Sequence, residues 1–375
     1  MDFAVVAAQP RYLDRDLVSV ADRGGVRMIA LTESEADRRY AASLGLFETA
    51  EAASSWPQIE AALLDVGTVE PAAMEGEESV PERRGQVIAV WGPAGSPGRT
   101  SLAIALAAEL ADVGKSVLLA DVDTHNGSVA PSLGMLDESP GFAAACRLAS
   151  TDSLTRLELD RIADHYTSNH GGFRVLTGLG RPSRWPELSA ERVSTTLGVC
   201  RQWVDYTVID AGASLENDEE ISSDLVAPRR NAATITALRD ADLIVAVGSA
   251  DPVGLSRFLR SYAEVLETIQ TDRVVVVMNR LRSSAIGVNA SVQVRQALER
   301  FAGIRSPVLV PYDRAAFDAA VLSGQTLRDA APRSPARLAV AGLVAEHLHR
   351  PAAPKRRPLS RYFSFSMRAS RAIRE

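Results

Sequence analysis

Between residues 92 and 101 the chain reads GPAGSPGRTS, three glycines, an arginine and three hydroxyls at a spacing suited to holding phosphate. Gly92, Gly95 and Gly98 let the main chain turn tightly and aim its amides inward. Thr100 and Ser101 then open a helix whose positive end faces the same hollow, with Ser96 in the curl between. The usual phosphate-loop pattern is GxxxxGK[ST], whose lysine reaches the terminal phosphates and whose hydroxyl binds magnesium. Counting back from Gly98 puts Pro93 at the first glycine position, and Arg99 replaces the lysine. Taken alone, the stretch also fits an ordinary Gly/Pro turn between a strand and a helix.

Three carboxylates follow it. VLLADVD delivers Asp121 and Asp123 at the end of one apolar run, and VDYTVID delivers Asp210 at the end of another. Open parallel sheets bind ligands outside the carboxyl ends of their strands, so these acids are expected to converge on the glycine loop. Carboxylates there hold magnesium or orient an attacking water. Each aspartate taken singly is equally a helix cap.

The elements that must position these groups are legible as alternating apolar runs and amphipathic stretches. Strands are expected at Gln86–Trp91, Val117–Asp121, Phe173–Thr177, Tyr206–Asp210, Leu243–Gly248, Arg273–Asn279 and Ser306–Val310. Between them, Thr100–Ala111, Glu191–Gln202, Val253–Thr268 and Ala290–Phe301 carry apolar residues three and four apart, the helical period. Such alternation implies right-handed crossovers and a doubly wound, mostly parallel α/β sheet over residues 86–350.

In this order, the motifs resemble those of the MinD/ParA superfamily of P-loop ATPases, and within it the CpaE/TadZ-like pilus-assembly branch. The resemblance spans roughly residues 86–330: the loop GPAGSPGRTS, the pair Asp121 and Asp123, the lone Asp210, Asn279 in RVVVVMNRLR, and the strand, proline and aspartate around Pro311 and Asp313. It implies ATP held by residues 92–101, with Asn279, Pro311 and Asp313 on the base side. It also implies Mg2+ held by Thr100 with Asp121 or Asp210, water positioned by Asp123, and Arg99 and Asp210 in the catalytic set. Two departures stand out. The lysine that in this family reaches across a dimer falls at Ala94, and the phosphate lysine falls at Arg99. A guanidinium forks onto phosphate oxygens but differs in size and shape from an ammonium, so the expectation is ATP binding with slow hydrolysis. The alternative is a scaffold that does not hydrolyse ATP and acts through protein contacts.

The rest of the 375-residue chain frames this domain. Residues 1–67 alternate strand (Phe3–Ala7, Arg27–Leu31) with helix (Glu33–Leu44, Trp56–Leu64) and resemble part of a receiver domain. Ala8 and Gln9 stand where a phosphoacceptor aspartate would close the first strand. Residues 68–85, rich in Glu and Pro, read as a linker. Cys146 and Cys200 lie in apolar stretches and are expected as buried thiols, and the five histidines show no metal-ligand spacing. After Asp210, residues 214–231 read either as a phosphate-sensing switch or as a solvated acidic face. Trp185, between prolines, reads as an exposed contact or as a half-buried loop anchor.

No run approaches the roughly 18 apolar residues needed to span a bilayer, and the amino terminus lacks a basic region followed by an apolar core. A cytoplasmic protein, peripheral at the inner face of the membrane, is therefore expected. The net charge of −6 hides a basic end: residues 355–375 carry seven Lys and Arg against Glu375 alone. As a helix they would gather Leu359, Tyr362, Phe363, Met367 and Ile373 on one side, a pattern that lies on anionic lipid. A disordered tail or, less favoured, a nucleic-acid contact also fits this charge. The partners implied are ATP or ADP, a second copy in a nucleotide-dependent dimer, and pilus-assembly or cell-division proteins. In flotation with anionic liposomes, the full chain is expected to rise with the lipid and a chain ending at Pro354 to stay behind. Equal flotation of both would remove the membrane reading of the tail.

Overall fold

A computed structural model describes parts of residues 3–54 and then residues 84–135, 140–216 and 229–348. The chain divides into two units, Met1–Ser79 and Val80–Glu375. The basic tail, the helix expected at Trp56–Leu64, most of the linker and residues 217–228 lie outside the described residues.

In the first unit β1 (Phe3–Ala7), β2 (Arg27–Thr32) and β3 (Thr49–Glu51) form a parallel sheet in that order. Leu13, Met28, Ala30 and Ala41 pack beneath it with Ala8, which is fully buried at the tip of β1. The strand β3 was not expected, because three residues are too few to show an alternating pattern.

The second unit is a single eight-stranded sheet. Its strands are β4 (Gln86–Trp91), β5 (Val117–Asp121), β6 (Asp164–Ser168), β7 (Gly171–Leu176), β8 (Tyr206–Asp210), β9 (Leu243–Ser249), β10 (Val274–Leu281) and β11 (Val308–Pro311). Their order is β11-β10-β9-β4-β8-β5-β7-β6, parallel throughout except for the β6–β7 pair. Side chains of β4 alternate between two cores: Val87, Ala89 and Trp91 face one layer of helices, Ile88 and Val90 the other. Helices α1 (Arg99–Asp112), α7 (Arg314–Ser323) and α8 (Pro335–Leu343) lie on the second face. The first carries α2 (Gly141–Ala149), α3 (Ala190–Trp203), α4 (Ala232–Asp240), α5 (Pro252–Ile269) and α6 (Ala290–Ala302). This is the doubly wound α/β arrangement expected from the sequence.

Three departures from expectation, at β6, β10 and Gly85, have physical causes. Strand β6 was missed because only Tyr166 of DHYTS is buried; it is an edge strand held by a hairpin at Gly171 (φ 106°) and by stacking of Tyr166 on Phe173 at 5.0 Å. Strand β10 runs two residues past Asn279, with Arg280 at φ 60° and a register shift against β11. Gly85 belongs to the sheet domain rather than to the linker: its N–H donates to the Arg201 carbonyl at 2.7 Å, and a Cβ there would lie 2.0 Å from the Val204 carbonyl oxygen. Trp185 is half-buried against the core as a loop anchor. Cys146 and Cys200 are free and buried, and burial pushes both thiols up to about 12.

Helix α1 is buried along Leu102–Leu110, and Glu109 sits inside that apolar run. Arg337 of α8 answers it with a two-pronged contact, Nε to Oε1 and Nη2 to Oε2, both at 2.6 Å; Arg328 adds a contact at 3.4 Å. The pair clamps α8 over the helix that opens at the glycine loop. Removing Arg337 leaves the buried Glu109 with only the longer contact to Arg328, so Arg337→Ala is expected to lower stability by about 3 kcal/mol. Chemical denaturation would read this, and a change within about 0.5 kcal/mol, the size of a surface effect, would show that the clamp is dispensable.

Candidate functional site

The turn from β4 to α1 is shaped by its glycines. Gly95 and Gly98 adopt φ 105° and 100°, and Ser96 between them φ 54°, backbone that favours residues without a Cβ. Gly92 is needed for a close approach instead: a Cβ would lie 2.2 Å from the carbonyl oxygen of Val247 on β9. Arg99 folds back over the loop it follows. Its Nη1 donates to the carbonyls of Gly92 (3.1 Å) and Pro93 (3.3 Å), and its Nη2 to Asp123 Oδ2 (3.2 Å). Its Nε is buried without a partner.

The strand order places the ends of β4, β5 and β8 side by side, and this brings the three expected acids together. Thr100 Oγ1 donates to Asp210 Oδ2 at 2.6 Å and lies 2.9 Å from Ser128 Oγ. The other oxygen of Asp210 is buried with no partner. Burial, and then the neighbouring charge of Asp121, holds the Asp210 carboxyl well above the usual carboxylate range. Burial raises Asp121 as well, although its oxygens accept N–H bonds from Asp123, Ser128 and Val129 at 2.8–3.1 Å. Asp121 therefore also fixes the 121–129 loop, whose backbone wraps around its carboxylate. Asp123 accepts from the amides of His125 and Asn126 in addition to Arg99.

Asn279, two residues before the end of β10, is tied to the loop. Its Nδ2 donates to the Pro97 carbonyl at 2.9 Å while its Oδ1 accepts from the Arg280 amide. Asp313 caps α7, accepting from the Ala316 amide, and takes a second bond from Ser334 at 2.6 Å. A cavity of about 320 Å³ opens between Asn279, Pro311, Tyr312, Asp313 and Phe317 on one side and Gly98 and Ser101 on the other. Of the expected base-side residues, Asn279, Pro311 and Asp313 thus line one hollow. Sequence reasoning missed Ser128, seven residues after Asp121 in the mostly polar run VDTHNGS. It also missed Arg280, Arg282 and Tyr312, whose guanidinium and ring contacts at the cavity are made by folding: Arg282 stacks on Tyr312 at 4.8 Å.

A strand-to-helix glycine loop, a hydroxyl paired to an acid from the adjacent strand, and a cavity beside the loop form a nucleotide-sized groove at the carboxyl edge of the sheet. Residues 88–327 match the family described as the CobQ/CobB/MinD/ParA nucleotide binding domain. The chain belongs to that family. The septum site-determining protein MinD of Synechocystis sp. is 24% identical over 222 residues, which cover 58% of this chain and 73% of the relative. Among solved structures, a ParA family ATPase from Chlorobium tepidum TLS has a TM-score of 0.57 at 19% identity, covering 70% of this chain and 99% of its own. The Pyrococcus horikoshii MinD complexed with Mg-ADP has a TM-score of 0.53 at 15% identity, covering 70% and 96%. At these identities the structural likeness establishes the fold.

Within this family fold the donors suit a magnesium ion that arrives with its nucleotide. Among the described residues no group of three or more His, Cys, Asp or Glu is disposed to hold a metal by itself. Magnesium does not need one, since it takes one or two protein oxygens beside phosphates and water. The orphaned Oδ1 of Asp210 and the hydroxyl of Thr100 are such oxygens. Among the described residues no helix is long and apolar enough to cross a membrane.

Gly98→Ala tests the loop. A Cβ there would lie 2.4 Å from the Asn279 amide nitrogen, already bound to Pro97, in a backbone conformation alanine resists. It is expected to weaken nucleotide binding by more than about tenfold. Gly114→Ala, equally left-handed at φ 78° but with open space around it, is expected to bind as the parent does. Fluorescent-nucleotide titration of the two variants makes the comparison.

Proposed function

We infer that this chain is an ATP-dependent positioning or assembly switch of the MinD/ParA type, most like the CpaE/TadZ pilus-assembly branch, with slow hydrolysis. The observation that carries the reading is the Thr100–Asp210 pair beside the glycine loop, with one carboxylate oxygen buried and unsatisfied. In a low-dielectric hollow such an oxygen calls for a cation, and Mg·ATP supplies one. The loop amides and Arg99 would receive the phosphates, Thr100 and Asp210 the metal, and the cavity by Asn279, Pro311 and Asp313 the base. The triphosphate brings the bond that hydrolysis would break. Asp123 would orient water for it, and Arg99 and Asp210 would balance charge around it.

A route from loop to partner surface supports the switch. Trp91, at the end of β4, donates through Nε1 to the Ala213 carbonyl at 3.2 Å. A Cβ on Gly212 would lie 3.5 Å from Asp123 Oδ1, so the segment after Asp210 passes against the acid paired with Arg99. Asn231 gathers both described ends of the acidic segment, bonding Ser214 at 3.1 Å and the Glu216 carbonyl at 2.9 Å. A change in the phosphate hollow would therefore bear on residues 214–231. Docking to a second copy, or to pilus-assembly or cell-division proteins, would be read there. The first unit as a receiver-like docking module and the tail as a membrane contact belong to the same proposal.

One observation favours a second reading, a scaffold that does not turn ATP over. The acid that would orient water is bonded to the guanidinium that would touch phosphate, and Ala94 adds no cation. Binding and turnover separate the readings. Calorimetry with ATP and ADP, with and without Mg2+, is expected to show binding that strengthens with the metal and loses that gain in Asp210→Ala. No binding under any condition would overturn the switch. Steady-state turnover is expected to be slow, and brisk Mg2+-dependent turnover lost in Asp123→Ala would show that Arg99 does the lysine's task in full.

A further inference from the structure

Two arginines of α5 stand beside the loop with no part in the site described above. Gly95 lies so close to Arg257 that a Cβ there would sit 2.5 Å from Nη1. Among the described residues Arg257 has no hydrogen bond or ion pair, and Arg260, one turn on, bonds only the Ser256 carbonyl, at 3.4 Å. Both face an open cavity of about 510 Å³ bounded by Pro93, Ala94, Gly95 and Ser261. A guanidinium held against a phosphate-binding loop with no acid to answer it leaves a positive field where the loop begins.

The loop thus has a different lining at each end. Its carboxyl end, at Gly98 and Ser101, meets the cavity where Tyr312 and Phe317 offer ring faces to a base beside Arg280, Arg282 and Arg314, of which Arg282 stacks on Tyr312 and Arg314 pairs with Asp318. Its amino end, at Pro93 to Gly95, meets Arg257 and Arg260. A nucleotide whose base lies against Tyr312 and Phe317 would run its phosphates along the loop toward Arg257 and Arg260. We propose that Arg257, backed by Arg260, binds the terminal phosphoryl group of a nucleoside triphosphate held in the loop and so distinguishes it from the diphosphate. This rests on the nucleotide reading above and assigns the terminal phosphate to α5, an element without a recognisable phosphate motif. It also gives the site a fixed cation on the side where Ala94 provides none. Arg99 is already bonded to Gly92, Pro93 and Asp123.

The test is calorimetry of the full chain with Mg2+ and either ADP or a non-hydrolysable ATP analogue. Loss of a charged hydrogen bond to phosphate is expected to weaken the analogue about tenfold or more in Arg257→Ala, with ADP changed less than about twofold. Arg257→Lys is expected to recover part of the loss and Arg260→Ala to show a smaller one. Because Arg257 is exposed, its variants should keep the parental unfolding midpoint. Equal weakening of both nucleotides, or no change in either, overturns the assignment while leaving the nucleotide site standing. Failure of the unaltered chain to bind either nucleotide overturns the site and the assignment together.

Discussion

Three carboxylates cannot share one dry hollow at full charge unless donors and cations are built around them, and this constraint organises the carboxyl edge of the sheet. Burial drives Asp121 and Asp210 toward the protonated form, and a neighbouring acid adds to it in each case, Asp123 at Asp121 and Asp121 at Asp210. The chain answers with three backbone amides on Asp121, two amides and a guanidinium on Asp123, and a single hydroxyl on Asp210. The provision is uneven. Asp210 is left one bond short, with one carboxylate oxygen buried and unanswered.

The same economy explains Arg99. A lysine would present one compact ammonium to a ligand, whereas the planar guanidinium spans two loop carbonyls and an acid at once. It ties the loop to Asp123, just past the end of β5. It also commits the cation that phosphate chemistry would draw upon, which is why binding and turnover come apart as questions here. The loop is further pinned from β10 by Asn279 at Pro97 and from β9 by the close approach of Val247 to Gly92, so its shape belongs to several strands at once.

Much of the fold was readable beforehand. The ranges Gln86–Trp91, Val117–Asp121 and Tyr206–Asp210 coincide with β4, β5 and β8, because strands covered on both faces are continuous apolar runs with sharp ends. Edge elements were less legible. Strand β6 buries a single tyrosine and looks like loop, and the end of β10 extends through Arg280 in a left-handed conformation that no propensity announces. The domain boundary blurred for a similar reason: Gly85 looks like linker composition but is a tight backbone contact with α3 and its exit.

By itself the order of residues determined that a glycine turn would open a helix and that Asp121, Asp123 and Asp210 would sit at strand ends. Those features are local, set by periodicity and by where polar residues interrupt apolar runs. Only tertiary structure decided that β8 inserts between β4 and β5 and so sets Thr100 against Asp210, that Arg99 turns back to Asp123, and that Arg257 comes to rest against Gly95. These are contacts across about 110, 24 and 160 positions of chain. Hydrophobic periodicity carries no information about which side chains such distant segments will bring within a few ångströms, since that follows from how the layers pack.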